Sequence, residues 1–115
     1  MNNRIHADEV EDLAVKFFKD QVIKWHKRGL VDLYVSGVPV EVKSCKWRVK
    51  DKNSTRKGRF HFRRHQHEFL VKHGGYYFLV VRDETVNFIR FVRAEELKLE
   101  FKSDEIVVSW VKVWG

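Results

Sequence analysis

Apolar positions along the chain change their spacing several times, and each spacing predicts an element of secondary structure. In residues 7–19 the apolar side chains recur three and four positions apart, which predicts a helix with one buried face. Strict alternation in residues 30–35 and 38–43 predicts two strands of a hairpin, with a Ser-Gly pair as its turn. The continuous apolar run 76–82 predicts a strand that is buried on both faces.

The remaining segments have weaker patterns. Residues 63–73 resemble a helix that ends at a Gly-Gly pair, and residues 48–58 are polar enough to predict a loop. Residues 22–25 fit either a short strand or a continuation of the first helix. Further elements are expected as a short strand at 59–62, a strand at 86–92, a helical turn at 94–97 and a last strand at 106–113.

The order of these elements predicts an α/β fold. We expect a mixed central sheet flanked by helices, with an αβββαβ core followed by C-terminal strands. A length of 115 residues suits one domain spanning residues 1–115.

The two faces of the predicted hairpin differ in chemistry. One face carries only Val and Leu, whereas the other places Asp32 opposite Glu41, with Lys43 two residues further along. Two opposed carboxylates repel each other unless a cation neutralises them, and Mg²⁺ prefers oxygen ligands. A metal ion held there could activate a water and stabilise charge on a phosphate, and Lys43 would orient that water, stabilise the pentavalent phosphorane or only balance the charge. The alternative is an exposed face on which the three residues form ion pairs.

Positive charge is concentrated directly after this cluster. The chain has a formal charge of +7, and residues 43–64 contain ten Lys or Arg residues against a single acid, Asp51. Such a run is typical of a surface that binds nucleic acid, although a solvated basic loop would have the same composition.

Other chemistries are disfavoured. With one cysteine, Cys45, the chain can form no internal disulfide and no zinc site with several cysteines, so we expect a cytoplasmic, intracellular protein. The sequence has no run of 18 or more apolar residues, so we expect no membrane contact. No base is placed to make Cys45 a nucleophile. His65 and His67 would point about 200° apart on a helix, which disfavours a shared zinc ion with His61. We expect these histidines at the surface or on phosphates.

The cluster also resembles a known signature. Asp32, followed on the next strand by Glu41, Val42 and Lys43, is similar to the motif of the PD-(D/E)XK nucleases, with Val31 where that family often has proline.

Two further residues agree with this resemblance. Glu11 lies where the family has a helix acid, with Glu9 as the alternative, and Gln66 lies where many members have a glutamine at the start of a helix. The likeness covers about residues 8–82. It is strongest to the archaeal Holliday-junction-resolvase-like and small restriction-like branches.

The resemblance implies a metal-dependent DNA endonuclease, with branched DNA among its substrates. Asp32, Glu41 and the carbonyl of Val42 would bind Mg²⁺ or Mn²⁺. Lys43 would position the attacking water. Glu11 would act through water or directly on the metal, and Gln66 would tune Lys43 or contact the DNA backbone.

The resemblance also implies how the protein holds its substrate. Nucleases of this fold that cut two strands often pair, so a homodimer is expected. Two alternatives remain, a non-catalytic nucleic-acid-binding module with the same fold and a regulatory subunit that binds an acidic partner. Phosphate contacts would come from Lys46, Arg48, Arg56, Lys57, Arg59, Arg63 and Arg64.

Overall fold

The computed structural model describes residues 3–21, 23–25 and 29–114, with side chains from Glu9 onward. Val22, one end of the ambiguous segment 22–25, lies outside the described residues. The helices are α1 (Asn3–Phe17), α2 (Arg64–Lys72) and α3 (Trp110–Trp114), with a 3-10 turn at Ala94–Glu96. The strands are β1 (Ile23–Trp25), β2 (Leu33–Val35), β3 (Val38–Lys46), β4 (Arg48–Asp51), β5 (Ser54–Lys57), β6 (Arg59–Arg63), β7 (Tyr76–Arg82), β8 (Asn87–Arg93) and β9 (Glu105–Ser109).

A mixed five-stranded sheet is the centre of the fold, in the order β1-β2-β3-β7-β8. Strands β3 and β7 are parallel, and the other neighbouring pairs are antiparallel. A parallel pair needs a long crossover, and the chain between β3 and β7 supplies it with β4, β5, β6 and α2. The predicted mixed α/β sheet flanked by helices is therefore confirmed. None of the helices in the described part of the chain is long and apolar enough to span a bilayer.

The sheet is covered on both faces. On one face, Val10 and Ala14 of α1 and Phe18, which directly follows the helix, pack against Leu33 and Phe78 among others. On the other face, Tyr77, Leu79 and Val81 of β7 pack against β6 and α2. Because side chains alternate along a strand, β7 contributes to both cores, as its continuous apolar run predicts.

The predicted hairpin register is confirmed where β2 and β3 pair. Leu33 faces Val40 and Val35 faces Val38. Ser36 and Gly37 form the turn with φ of 49° and 85°, the positive values that a type I′ turn requires.

The predicted first strand is too long, because β2 begins only at Leu33. The backbone bends at residues 31–32, so Val31 does not share a face with Leu33. Its side chain is 2% exposed and lies in the core on the opposite side of the sheet. Because of this bend, Asp32 has no ladder partner in β3.

Two other predictions are wrong. The polar segment 48–58 is not a loop, because β4 and β5 pair as a two-stranded ribbon with Lys52 and Asn53 at its tip. The last predicted strand ends at Ser109, and Trp110 begins a short helix. In that helix the rings of Trp110 and Trp114 lie 6.2 Å apart, one turn from each other.

Gly58 fixes the place where the ribbon rejoins the fold. Its N–H donates to the carbonyl of Trp47, and its own carbonyl accepts from the N–H of Trp110. A Cβ atom at position 58 would lie 1.7 Å from the carbonyl oxygen of Lys46. This crossing of two backbones therefore requires glycine.

Gly58→Ala is expected to destabilise the protein by about 2–3 kcal/mol, because the added methyl group cannot avoid a backbone atom. The measurement is urea denaturation, with Thr55→Ala on the exposed part of the ribbon as the control. Equal midpoints for the two variants would contradict the proposed clash.

Candidate active site

Strand β3 presents two of the predicted site residues on one face. Val40 packs towards α1, so the alternating side chains of Glu41 and Lys43 lie on the opposite face. Glu41 is 7% exposed, which is unusual for a carboxylate, and it pairs in register with Tyr77 of β7.

Asp32 reaches Glu41 through side-chain bonds where the ladder of β2 ends. The backbone N–H of Asp32 donates to Glu41 Oε1 at 2.8 Å. In return, Asp32 Oδ2 accepts from the backbone N–H of Val42 at 3.2 Å. The structure thus brings the two carboxylates together, although not as a regular ladder pair. Since the N–H and C=O of a strand residue point to the same edge, the Val42 carbonyl also faces the Asp32 side.

Burial dominates the electrostatics of Glu41. It raises the pKa of Glu41 to about 7, and the negative charge of Asp32 adds to that rise. Lys43 acts in the opposite direction, with its Nζ 3.5 Å from Glu41 Oε2.

Lys43 is held in the same buried environment. Burial lowers the pKa of Lys43, and Glu41 and Asp32 oppose that change more than Arg63 adds to it. Two carboxylates therefore share one ammonium group. A divalent cation beside Asp32 and Glu41 would favour the ionised form of Glu41, so the donor set fits a hard metal ion.

The buried side chain of Gln66 contacts the segment that leads to Asp32 and has one polar atom without a partner. This side chain is 5% exposed, on the first turn of α2, and its Nε2 donates to the carbonyl of Leu30 at 2.8 Å. Its Oε1 is buried and accepts no hydrogen bond from the residues that the structure describes. An unpaired buried acceptor costs about 1–3 kcal/mol, so a donor such as water or an ammonium group would be stabilised there.

The helix acid is not brought to the carboxylates. Glu11 is exposed on α1, which packs on the other face of the sheet from Glu41. Glu9 forms an ion pair with Arg82. Among the described side chains, no group of three or more His, Cys, Asp or Glu residues could hold a metal ion. The role of Glu11 stays a prediction.

The sequence pattern did not predict that His67 and Tyr77 form a buried pair next to Glu41. His67 Nδ1 lies 2.9 Å from the hydroxyl oxygen of Tyr77, and the two rings stack with centroids 5.8 Å apart. The expectation of a surface or phosphate-binding His67 is wrong. Burial lowers the pKa of His67, and burial together with Glu41 raises that of Tyr77. The apolar run gave the position of Tyr77, but only the parallel register places it beside Glu41.

Cys45 is inert, as expected. It is 8% exposed, and burial raises the pKa of its thiol to about 12. A thiol in this environment is not ionised at neutral pH and cannot act as a nucleophile.

The predicted phosphate contacts fall into two groups. Lys46, Arg48, Arg59 and Arg63 are exposed. The other three have internal partners: Arg56 lies 3.7 Å from Asp51, Arg64 lies 2.5 Å from Asp104, and Lys57 lies over the rings of Trp47 and Trp110.

Comparison with known proteins agrees with this geometry. No curated protein sequence matches the chain. The sequence profile of the PD-(D/E)XK nuclease superfamily domain matches residues 3–113, almost the whole chain. Because the match covers nearly the whole chain, the protein belongs to the PD-(D/E)XK nuclease superfamily.

Proposed function

We propose that this nuclease is a divalent-metal-dependent endonuclease that hydrolyses phosphodiester bonds in DNA at Asp32, Glu41 and Lys43. The observation that carries the proposal is the mutual anchoring of the two carboxylates. Glu41 accepts a hydrogen bond from the backbone N–H of Asp32, Asp32 accepts one from the N–H of Val42, and Lys43 lies 3.5 Å from Glu41. Such an arrangement holds the charges close together even though they repel.

Asp32, Glu41 and the carbonyl of Val42 would hold Mg²⁺, with Mn²⁺ as a substitute. The bound ion would supply Lewis-acid activation of water and neutralise charge on the phosphate. In the reaction, a water oxygen bonds to phosphorus and one ester P–O bond breaks. The attacking water loses a proton to solvent and the leaving oxygen gains one from solvent, so the products are a phosphate monoester and a free hydroxyl group.

The other polar groups would position the water. Lys43 donates a hydrogen bond to the water oxygen, which leaves a lone pair directed at the phosphorus. The orphaned Gln66 Oε1 accepts from Lys43 or from this water. Glu11 would act only in the DNA-bound protein, through water, because in this structure α1 packs on the other face of the sheet from Glu41.

The exposed basic residues around the site support DNA as the substrate. Arg59 and Arg63 lie on β6 at the same side of the sheet as Glu41 and Lys43, whereas the side chain of Lys46, three residues after Lys43 on β3, points to the other face. Phosphate binding by these side chains would weaken strongly with salt. We include branched DNA among the substrates and the cytoplasm as the compartment.

The test is a cleavage panel of linear, flapped and four-way-junction DNA, each with Mg²⁺, with Mn²⁺ or with EDTA. We expect cuts with either ion and none with EDTA, with products mapped at nucleotide resolution. Salt-sensitive binding without cleavage in either metal would instead support the non-catalytic module.

We further propose that a second copy of the chain covers the apolar surface beside β8, so that two sites can cut two strands. Phe17, Ile89 and Phe91 are 49%, 37% and 36% exposed there. Light scattering is expected to give twice the chain mass of 13.9 kDa. Ile89→Lys should shift the protein towards the monomer, whereas Val71→Lys, at a comparably exposed site on α2, should not. A monomeric wild-type protein would contradict the proposal.

A further inference from the structure

The ribbon of β4 and β5 projects from the end of the strand that carries the site. Arg48 pairs with Lys57, and Asp51 pairs with Ser54 next to the tip. Most of its side chains are exposed. A protruding two-stranded ribbon has the dimensions to follow a groove or backbone of duplex DNA.

The pairing register sorts the charges of the ribbon onto its two faces. Directly opposed residues share a face, so Arg48, Lys50 and Lys57 lie on one face together with Thr55. The other face holds Arg56 and Asp51, which form an ion pair with Arg56 Nε 3.7 Å from Asp51 Oδ2. One face therefore carries three positive charges and no acid, whereas the other is neutral.

The base of the ribbon is anchored by aromatic side chains. The rings of Trp47 and Trp110 lie 4.5 Å apart, and the indole N–H of Trp110 donates to the carbonyl of Trp47 at 3.0 Å. Lys57 Nζ lies 5.3 Å and 5.8 Å from the two ring centroids. These contacts, with Gly58, fix the direction in which the ribbon leaves the sheet.

The ribbon is close enough to the site to touch the same duplex. Lys43 and Asp51 are eight residues apart, which limits their separation to about 26 Å in extended chain. At 3.4 Å for each base pair, this reach corresponds to about eight base pairs or fewer from the cut.

We infer that the ribbon is an arm that binds the phosphates of duplex DNA beside the active site, through its Arg48 and Lys50 face. The inference rests on the proposed DNA substrate. It adds Lys50, which the sequence motif did not indicate, and it excludes Arg56, which did fall among the expected contacts. The arm contributes affinity rather than sequence specificity, since it meets the backbone.

The test is the salt dependence of duplex binding, measured by fluorescence anisotropy in EDTA so that no cleavage occurs. Arg48→Ala/Lys50→Ala is expected to reduce the slope of log affinity against log salt by about 2, since each phosphate contact contributes about 0.9. The matched control, Arg56→Ala/Lys72→Ala, removes the same charge away from this face and should change the slope by less than about 0.5. Lys50→Glu alone tests the same face with a single exposed substitution.

The outcomes separate this inference from the proposed nuclease function. Equal slopes for the two double variants, or a difference found only with single-stranded DNA, would overturn the arm and leave wild-type cleavage unaffected. A ribbon-dependent slope without metal-dependent cleavage would support the arm while contradicting the nuclease. Thermal melting shows whether each variant is folded. If a double variant has lost its fold, the salt slope of Lys50→Glu decides whether the ribbon face binds DNA.

Discussion

Lys43→Ala and Asp32→Asn are each expected to lower the rate of DNA cleavage by at least about a hundredfold. Lys43 contributes the ammonium group 3.5 Å from Glu41, and alanine leaves no donor for the water. The substituted asparagine keeps an oxygen that can accept from the Val42 N–H, so the local fold is preserved while the ligand charge is lost. The measurement is single-turnover cleavage of a labelled duplex with Mg²⁺.

A matched control separates chemistry from general charge loss. Lys72→Ala removes an exposed lysine at the end of α2, and it should cut at a rate close to that of the wild type. If Lys43→Ala and Asp32→Asn both cut as fast as Lys72→Ala, the site lies elsewhere.

Glu41→Gln is expected to make the metal-free protein more stable at pH 8, by about 3 kcal/mol, while abolishing cleavage. Burial raises the pKa of Glu41 from 4.5 to about 7, so the folded state holds a proton that the unfolded chain releases. Stability of the wild type therefore falls as pH rises from 4.5 to 7, and the full cost is present above pH 7. Glutamine does not titrate and removes this slope.

Denaturant unfolding in EDTA across this pH range measures the effect, with Glu100→Gln as an exposed control. The gain should be near zero at pH 4.5 and largest at pH 8. Mg²⁺ should then stabilise the wild type, by about 1.4 kcal/mol at ten times its dissociation constant, and leave Glu41→Gln unchanged. A gain that is independent of pH, or equal stabilisation of both proteins by Mg²⁺, would contradict the buried ligand.

Burial of the Glu41 carboxylate has opposite effects on the stability of the free protein and on its affinity for a cation. The buried carboxylate reduces the stability of the free protein because it is desolvated and faces another acid. The same features make it a ligand for a cation. Strained or destabilising groups of this kind are concentrated at functional sites.

The residues of the central hairpin were sufficient to predict the register of its two strands. Alternation fixed the register, since a shift by one residue would move Val40 and its neighbours from the core to the opposite face. The Ser36–Gly37 turn fixed it independently, because both residues need positive φ. The closeness of Glu41 and Lys43 follows from that register, whereas Asp32 lies before the first residue of β2 and reaches Glu41 through hydrogen bonds to side chains. The buried run of β7 was equally clear.

Tertiary contacts determine that residues 48–57 form a paired ribbon and that residues 110–114 form a helix. Segment 48–58 has no alternation of apolar and polar residues, so its pairing depends on the Trp47 and Trp110 base and on the backbone crossing at Gly58. Residues 110–114 have the β-branched residues of a strand, yet β9 already pairs with β6 and ends at Ser109. Periodicity does not report which partners a segment will find.

The sequence by itself determined the charged cluster and the sheet around it, because strand register and burial pattern are local properties of alternating side chains. Only the tertiary structure decided what surrounds the cluster. The bend at Asp32, the orphaned oxygen of Gln66 and the placement of Tyr77 beside Glu41 each depend on elements distant in sequence. Burial of Glu41 depends on the same packing, and so does its raised pKa, since desolvation is a property of the folded protein as a whole.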